Sequence, residues 1–144
     1  MIQISNASRY AIRAMVDVAA VSDGGVVTTQ EIAERQDIPQ AFLTKIVQRL
    51  VLAGLVRAYR GAAGGIALVQ RAEEINSRQI IEAVQGPIFL AQCLIQPGEC
   101  PRRETCPVHD VLMEMQNSIL KILEGVTLAS LVARGKELAV TQTM

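Results

Sequence analysis

Cys93, Cys100, Cys106 and His109 gather all three cysteines and the single histidine of the chain into one short stretch. Six residues separate the first two cysteines, five the next two, and two lie between Cys106 and His109. Thiolates and a neutral imidazole are soft or borderline ligands, and a set of four suits an iron-sulfur cluster or a zinc ion. Spacing does not choose between them, because both accept three thiolates and an imidazole. Pro101 and Pro107 restrict the backbone between the ligands and lower the entropy lost on ordering it. Arg102 and Arg103 favour thiolates electrostatically. The bland alternative is three free thiols in a flexible loop and a surface histidine. A Cys-His nucleophile is a poorer reading, since no oxyanion motif or third orienting group accompanies it.

A second constellation is suited to recognition. On the helix expected from about Pro39, the residues Gln40, Thr44, Lys45 and Gln48 fall opposite Phe42, Leu43, Ile46 and Val47. All four can hydrogen-bond to base edges or phosphates. Between residues 28 and 71, Arg35, Lys45, Arg49, Arg57, Arg60 and Arg71 outnumber Glu31, Glu34 and Asp37 by three. The whole chain carries 14 basic and 14 acidic side chains, so attraction to a polyanion must come from a local patch. The glycine-rich turn at residues 60–65 can approach a nucleic-acid backbone closely and present Arg60 to a narrow minor groove. It matches neither a phosphate-binding loop nor a dinucleotide fingerprint. Aromatic residues make up 3% of the chain, with no Trp, which argues against base stacking and leaves duplex DNA as the nucleic-acid partner. An ordinary solvated helix face is the competing explanation.

The elements that must position these residues can be read from periodicity. At 144 residues, 50% hydrophobic and 19% charged, the chain has the size and composition of one globular domain with at most a helical extension. Ala7, Tyr10, Ala11, Ala14, Met15 and Val18 mark one face of a first helix, ended by Gly24-Gly25. Thr28 and Glu31 form a capping box for a short helix to about Gln36. The stripe Phe42, Leu43, Ile46, Val47 and Leu50 marks the next helix, stopped by Gly54. Residues 55–59 and 66–69 read as a hairpin, and Asn76 or Ser77 caps a helix that ends at Gly86-Pro87. Residues 89–106 read as a structured loop. Val108, Val111, Leu112, Met115, Ile119, Ile122 and Val126 form the seam of a long helix, read as burying against a second copy of the chain, with an intramolecular core helix as the bland alternative. Thr127 caps a last helix that precedes a polar tail.

The expected fold is mainly α with a small β-hairpin wing: a winged helix-turn-helix domain followed by a long C-terminal dimerisation helix. Its units are a DNA-binding domain at residues 1–86, a cysteine-bearing loop at 87–106, and the dimerisation helix with the last helix and tail at 107–144. No stretch approaches a membrane span, and Arg9, Arg13 and Asp17 interrupt the start where a signal peptide needs an apolar run. A cytoplasmic protein is expected.

Tyr10-Ala11, Glu31-Ile32-Ala33-Glu34-Arg35, Ala53-Gly54-Leu55-Val56, and Arg60-Gly61 with Gly64-Gly65 together resemble the Rrf2 family of bacterial transcription regulators, over nearly the whole chain. The resemblance implies a homodimer on partly palindromic double-stranded DNA, with wings in the minor groove and a long helix at the dimer interface. It implies DNA contact by Gln40, Thr44, Lys45 and Arg60, to which the face reading adds Gln48. Similarity to the cluster-binding, IscR- and NsrR-like branch implies a 2Fe-2S cluster held by Cys93, Cys100 and Cys106, with His109 as fourth ligand. The implied function is a non-enzymatic regulator whose operator binding responds to redox, iron-sulfur status or nitric oxide. The alternative is a winged-helix interaction module with a structural zinc site. Two departures stand out. The first cysteine gap has six residues where the IscR type has five, and Thr44 replaces an acidic specificity residue. Where NsrR-type members carry an acidic ligand near the amino terminus, this chain offers Asn6 and Ser8.

Overall fold

The computed structural model describes residues 3–21, 25–62, 64–96, 98 and 100–143. Helix α1 (Asn6–Ala20) begins where Ser5 Oγ accepts the Ser8 amide at 3.0 Å, and it buries Ala11, Ala14, Met15 and Val18. It ends earlier than the glycines suggest. Val21 is already extended, with its N–H on the Val18 carbonyl, and Gly24 lies outside the described residues.

Helix α2 (Thr29–Gln36) carries both arms of the Thr28/Glu31 capping box. Asp37 then adopts φ 52°, a left-handed conformation that Asp tolerates better than most side chains. The chain reverses there, buries Ile38, and starts α3 (Gln40–Leu52) with Pro39 as its N-cap. Leu43, Ile46, Val47 and Leu50 face the core. Phe42 does not belong to that stripe: it is 54% exposed. At 100° per residue it falls on the margin of the buried face, where its ring meets Tyr10 edge-on at 6.4 Å.

Gly54, at φ 76°, turns the chain into the antiparallel pair β1 (Val56–Tyr59) and β2 (Gly65–Leu68), with Val56 opposite Leu68 and Tyr59 opposite Gly65. The strands lie one residue inside the expected limits at Leu55 and Val69, which close the hairpin base by one bond from the Val69 N–H to the Leu55 carbonyl. Val27 pairs with Ile66 through two backbone hydrogen bonds and ties the wing to the helical body.

Asn76 caps α4 (Ser77–Gln85) with its own capping box. The expected loop contains a short helix α5 (Gln92–Ile95) and a run of turns at residues 101–105. Helix α6 (Pro107–Gly125) follows, and α7 (Leu128–Thr143) returns against α1. The expected polar tail is therefore helical. Leu128, fully buried, joins the same core as Met15, Ile32, Leu43 and Ile80, because its N–H bonds to the Ile75 carbonyl beside the start of α4. Among the described residues no helix is long and apolar enough to cross a membrane.

The seam of α6 divides between two faces. Val108, Val111, Met115 and Ile122 point outward at 46–66% exposure, whereas Leu112 and Ile119 are half-buried within the protomer.

Candidate nucleic-acid interface and metal centre

The end of helix α2 is held against α1 by a buried carboxylate. Asp17, 7% exposed on α1, accepts two hydrogen bonds from Arg35 Nε, at 3.0 and 3.3 Å, one from Arg35 Nη2 at 2.7 Å, and one from Gln36 at 3.1 Å. The hydrogen bond to Asp17 raises the Arg35 pKa above its already high ordinary value, so this cation is permanent and committed. Arg49, on the last turn of α3, donates to the Val84 carbonyl. That carbonyl is among the last of α4 and has no acceptor role within its own helix, so Arg49 serves as a C-terminal cap. Arg71 sits 3.5 Å from Glu73.

Three of the six cations counted in the sequence are thus engaged inside the protein. Lys45, Arg57 and Arg60 make no hydrogen bond or ion pair among the described residues, and all three are exposed. They lie on the outer face of α3 and on the wing, which concentrates the local positive charge on one recognition surface. Gln40, Thr44 and Gln48 share the exposed face of α3 with Lys45. Gln40 Nε2 donates to Thr29 Oγ1 at 3.2 Å, and Thr44 Oγ1 donates to the Gln40 carbonyl at 3.0 Å. Those two side chains are pre-positioned and exchange internal bonds for external ones on binding, whereas Lys45 and Gln48 reach out directly.

The wing glycines have a structural cause that sequence reading missed. A Cβ on Gly64 would lie 2.5 Å from the Tyr59 carbonyl oxygen and 2.7 Å from that of Gly61, and one on Gly65 would collide with the Val27 backbone. These glycines close the turn and dock the wing on the residue before Thr28; Gly61, at φ 97°, is the one with open space around it. Arg60 is held at the tip beside the exposed Tyr59. Ala63 lies outside the described residues.

The cysteine segment is less assembled. Cys93 sits on α5, Cys100 opens the turns, and Cys106 is the N-cap of α6; all three are free, half-buried thiols. His109 occupies the first turn of α6, 8% exposed, and its Nδ1 is buried without a hydrogen-bond partner. Among the described residues no three His, Cys, Asp or Glu side chains converge closely enough to hold a metal ion. The four predicted ligands therefore do not meet at one centre; Cys106 and His109 lie at the start of α6. Their chemistry still fits a soft-metal group: an unpaired buried imidazole nitrogen costs stability unless something binds it. Ser8 is fully buried and donates to Gln85 Oε1 at 2.7 Å, so its hydroxyl is not a free ligand.

A family model described as "Iron-dependent Transcriptional regulator", Rrf2, matches residues 4–134. The HTH-type transcriptional regulator IscR of Serratia proteamaculans is 35% identical over 130 residues, covering 90% of this chain and 79% of that protein. IscR of Escherichia coli O1:K1 / APEC is 32% identical over 130 residues, with 90% and 80% covered. Among solved structures, CymR of B. subtilis, a global cysteine regulator, superposes with TM-score 0.76 at 27% identity, covering 93% of this chain and 98% of that one. IscR of T. potens superposes with TM-score 0.76 at 27% identity, covering 94% and 90%. A winged helix-turn-helix with Lys45, Arg57 and Arg60 exposed on its second helix and wing, matched along nearly its whole length, makes this chain a member of the Rrf2 family of DNA-binding transcription regulators, which are not enzymes.

Proposed function

We propose that the protein is a cytoplasmic homodimeric regulator whose operator occupancy depends on a 2Fe-2S cluster carried by Cys93, Cys100, Cys106 and His109. In this reading residues 1–86 bind DNA, 87–106 bear the cluster thiols, and 107–144 form the dimer. The orphaned, buried Nδ1 of His109, one turn from Cys106 at the head of the longest helix, carries the reading. The iron-dependent character of the family supports it. When bound, such a cluster supplies redox-active iron, and an imidazole ligand raises its reduction potential relative to four thiolates.

On the DNA side, α3 offers Gln40, Thr44, Lys45 and Gln48 to the major groove, and the wing offers Arg60 to the minor groove. The outward residues Val108, Val111, Met115 and Ile122 supply an apolar strip for a two-fold contact. Occupancy of the cysteine segment alters DNA binding only to the extent that it stabilises one arrangement of the two winged helices over another.

Anaerobic purification with iron, sulfide and zinc analysis and visible spectroscopy tests the reading. Two irons and two sulfides per protomer with visible absorption are expected. Colourless protein with zinc identifies the structural-zinc alternative, since a filled d shell gives no such bands. His109→Ala is expected to bind a more labile cluster with a changed spectrum, and each Cys→Ala to abolish stable incorporation, because thiolates neutralise the ferric charge and a neutral imidazole does not.

A further inference from the structure

Helix α6 is inverted in one respect. Its large apolar residues Val108, Val111, Met115 and Ile122 are exposed, while the two residues it buries are polar, His109 and Gln116. They are seven positions apart, two helical turns, and so lie on one face separated by about 10 Å along the axis. Gln116 is 7% exposed, and its Oε1 accepts the backbone N–H of Leu90 at 3.1 Å. Burying a carboxamide where a leucine would pack costs free energy unless its bonding is needed.

Leu90 lies three residues before Cys93, and three residues of chain span at most about 11 Å. That is an upper bound, since Gln92 and Cys93 already wind into α5, so the Leu90 bond keeps Cys93 close to α6. Without the bond at Leu90, the nearest polar anchor upstream is the end of α4, where the Gly86 N–H bonds the Glu82 carbonyl and the Gln85 side chain is held by Ser5 and Ser8. Seven steps of chain then lead from Gly86 to Cys93, with a reach of about 25 Å. Leu94 is buried and holds α5 by apolar contact, which is non-directional and sets no register. The Leu90 hydrogen bond, by contrast, has a fixed direction.

We infer that Gln116 is a positioning residue for the cluster: by accepting the Leu90 N–H it fixes the register of the incoming segment against α6 and presents Cys93 on the face that carries His109. This rests on the cluster reading above. Gln116 is no ligand itself; its hydrogen bond is to the backbone that leads to one.

Gln116→Leu removes the acceptor at similar volume, and Gln116→Glu keeps an acceptor oxygen. In reduced, cluster-free protein, Gln116→Leu is expected to speed amide exchange at Leu90 and alkylation of Cys93 relative to Cys106, each by about fivefold, the net worth of one hydrogen bond. After reconstitution its cluster is expected to decay several-fold faster, with Gln116→Glu restoring all three readouts to within twofold. Wild-type protein that takes up no iron and sulfide overturns the underlying cluster reading and the ligand-presenting role with it. Wild-type protein that takes up the cluster while Gln116→Leu matches it in Cys93 reactivity and cluster lifetime overturns the positioning role alone.

Discussion

Removing Arg60 gives the sharpest test of the recognition surface, because the structure separates the engaged from the unengaged cations of residues 28–71. Lys45, Arg57 and Arg60 are unengaged among the described residues, giving about six in a two-fold dimer. Each phosphate neutralised contributes about 0.9 to the slope of log affinity against log salt, so the wild-type slope should be about −5. Between 50 and 200 mM salt that is a loss of about 2,000-fold in affinity. Arg60→Ala removes one cation per protomer, so the slope should fall to about −3.6 and the loss to about 150-fold. Arg49→Ala is the control. Its guanidinium is occupied by the Val84 carbonyl, so the slope should stay at the wild-type value while stability falls by about 1 kcal/mol. The assay is fluorescence anisotropy across a salt series on a duplex selected in vitro by the wild-type protein, with thermal melting in parallel. An unchanged slope for Arg60→Ala, or a lowered one for Arg49→Ala, would show that the partition of cations into free and engaged is wrong.

Three further outcomes follow from the geometry. Ile122, 66% exposed on α6, loses its contact twice in a two-fold dimer; Ile122→Asp should weaken association by at least about 30-fold, measured by sedimentation equilibrium, with the protomer still folded by circular dichroism. Leu112 and Ile119 are poorer targets, since each is already half-buried within its own protomer. Gly64→Ala forces a Cβ onto the Tyr59 carbonyl, so the wing should distort at a cost of about 1–3 kcal/mol and operator affinity should drop about tenfold, while Gly61→Asn, with open space and a left-handed backbone, should be far milder. Asp17→Asn removes the charge from the Arg35 clamp; because Arg35 is 47% exposed, the expected loss is about 1–2 kcal/mol in chemical denaturation, and an unaltered midpoint would count against a clamping role.

Much of this protein is written in neighbours three or four positions apart. The Thr28/Glu31 cap, the apolar stripe of α3, the stop at Gly54 and the hairpin all depend on local bonding and periodicity, and the sequence by itself determined them, whereas it left the cap of α4 between Asn76 and Ser77. The crowding of three thiols and one imidazole near the start of α6, and the polar face of α3, are equally local. Tertiary structure decided what depends on partners far along the chain. Arg35 is spent on Asp17, eighteen positions away, and Arg49 on Val84, thirty-five away, so a charge count could not separate engaged cations from free ones. Gly64 and Gly65 serve a turn and a contact with Val27, and Phe42 lies on Tyr10 outside the core stripe. Gln116 looked like one more polar residue on a helix until packing buried it beneath Leu90, twenty-six positions earlier. Periodicity states which face of a helix is buried; which atom waits on the other side is settled only when distant segments pack together.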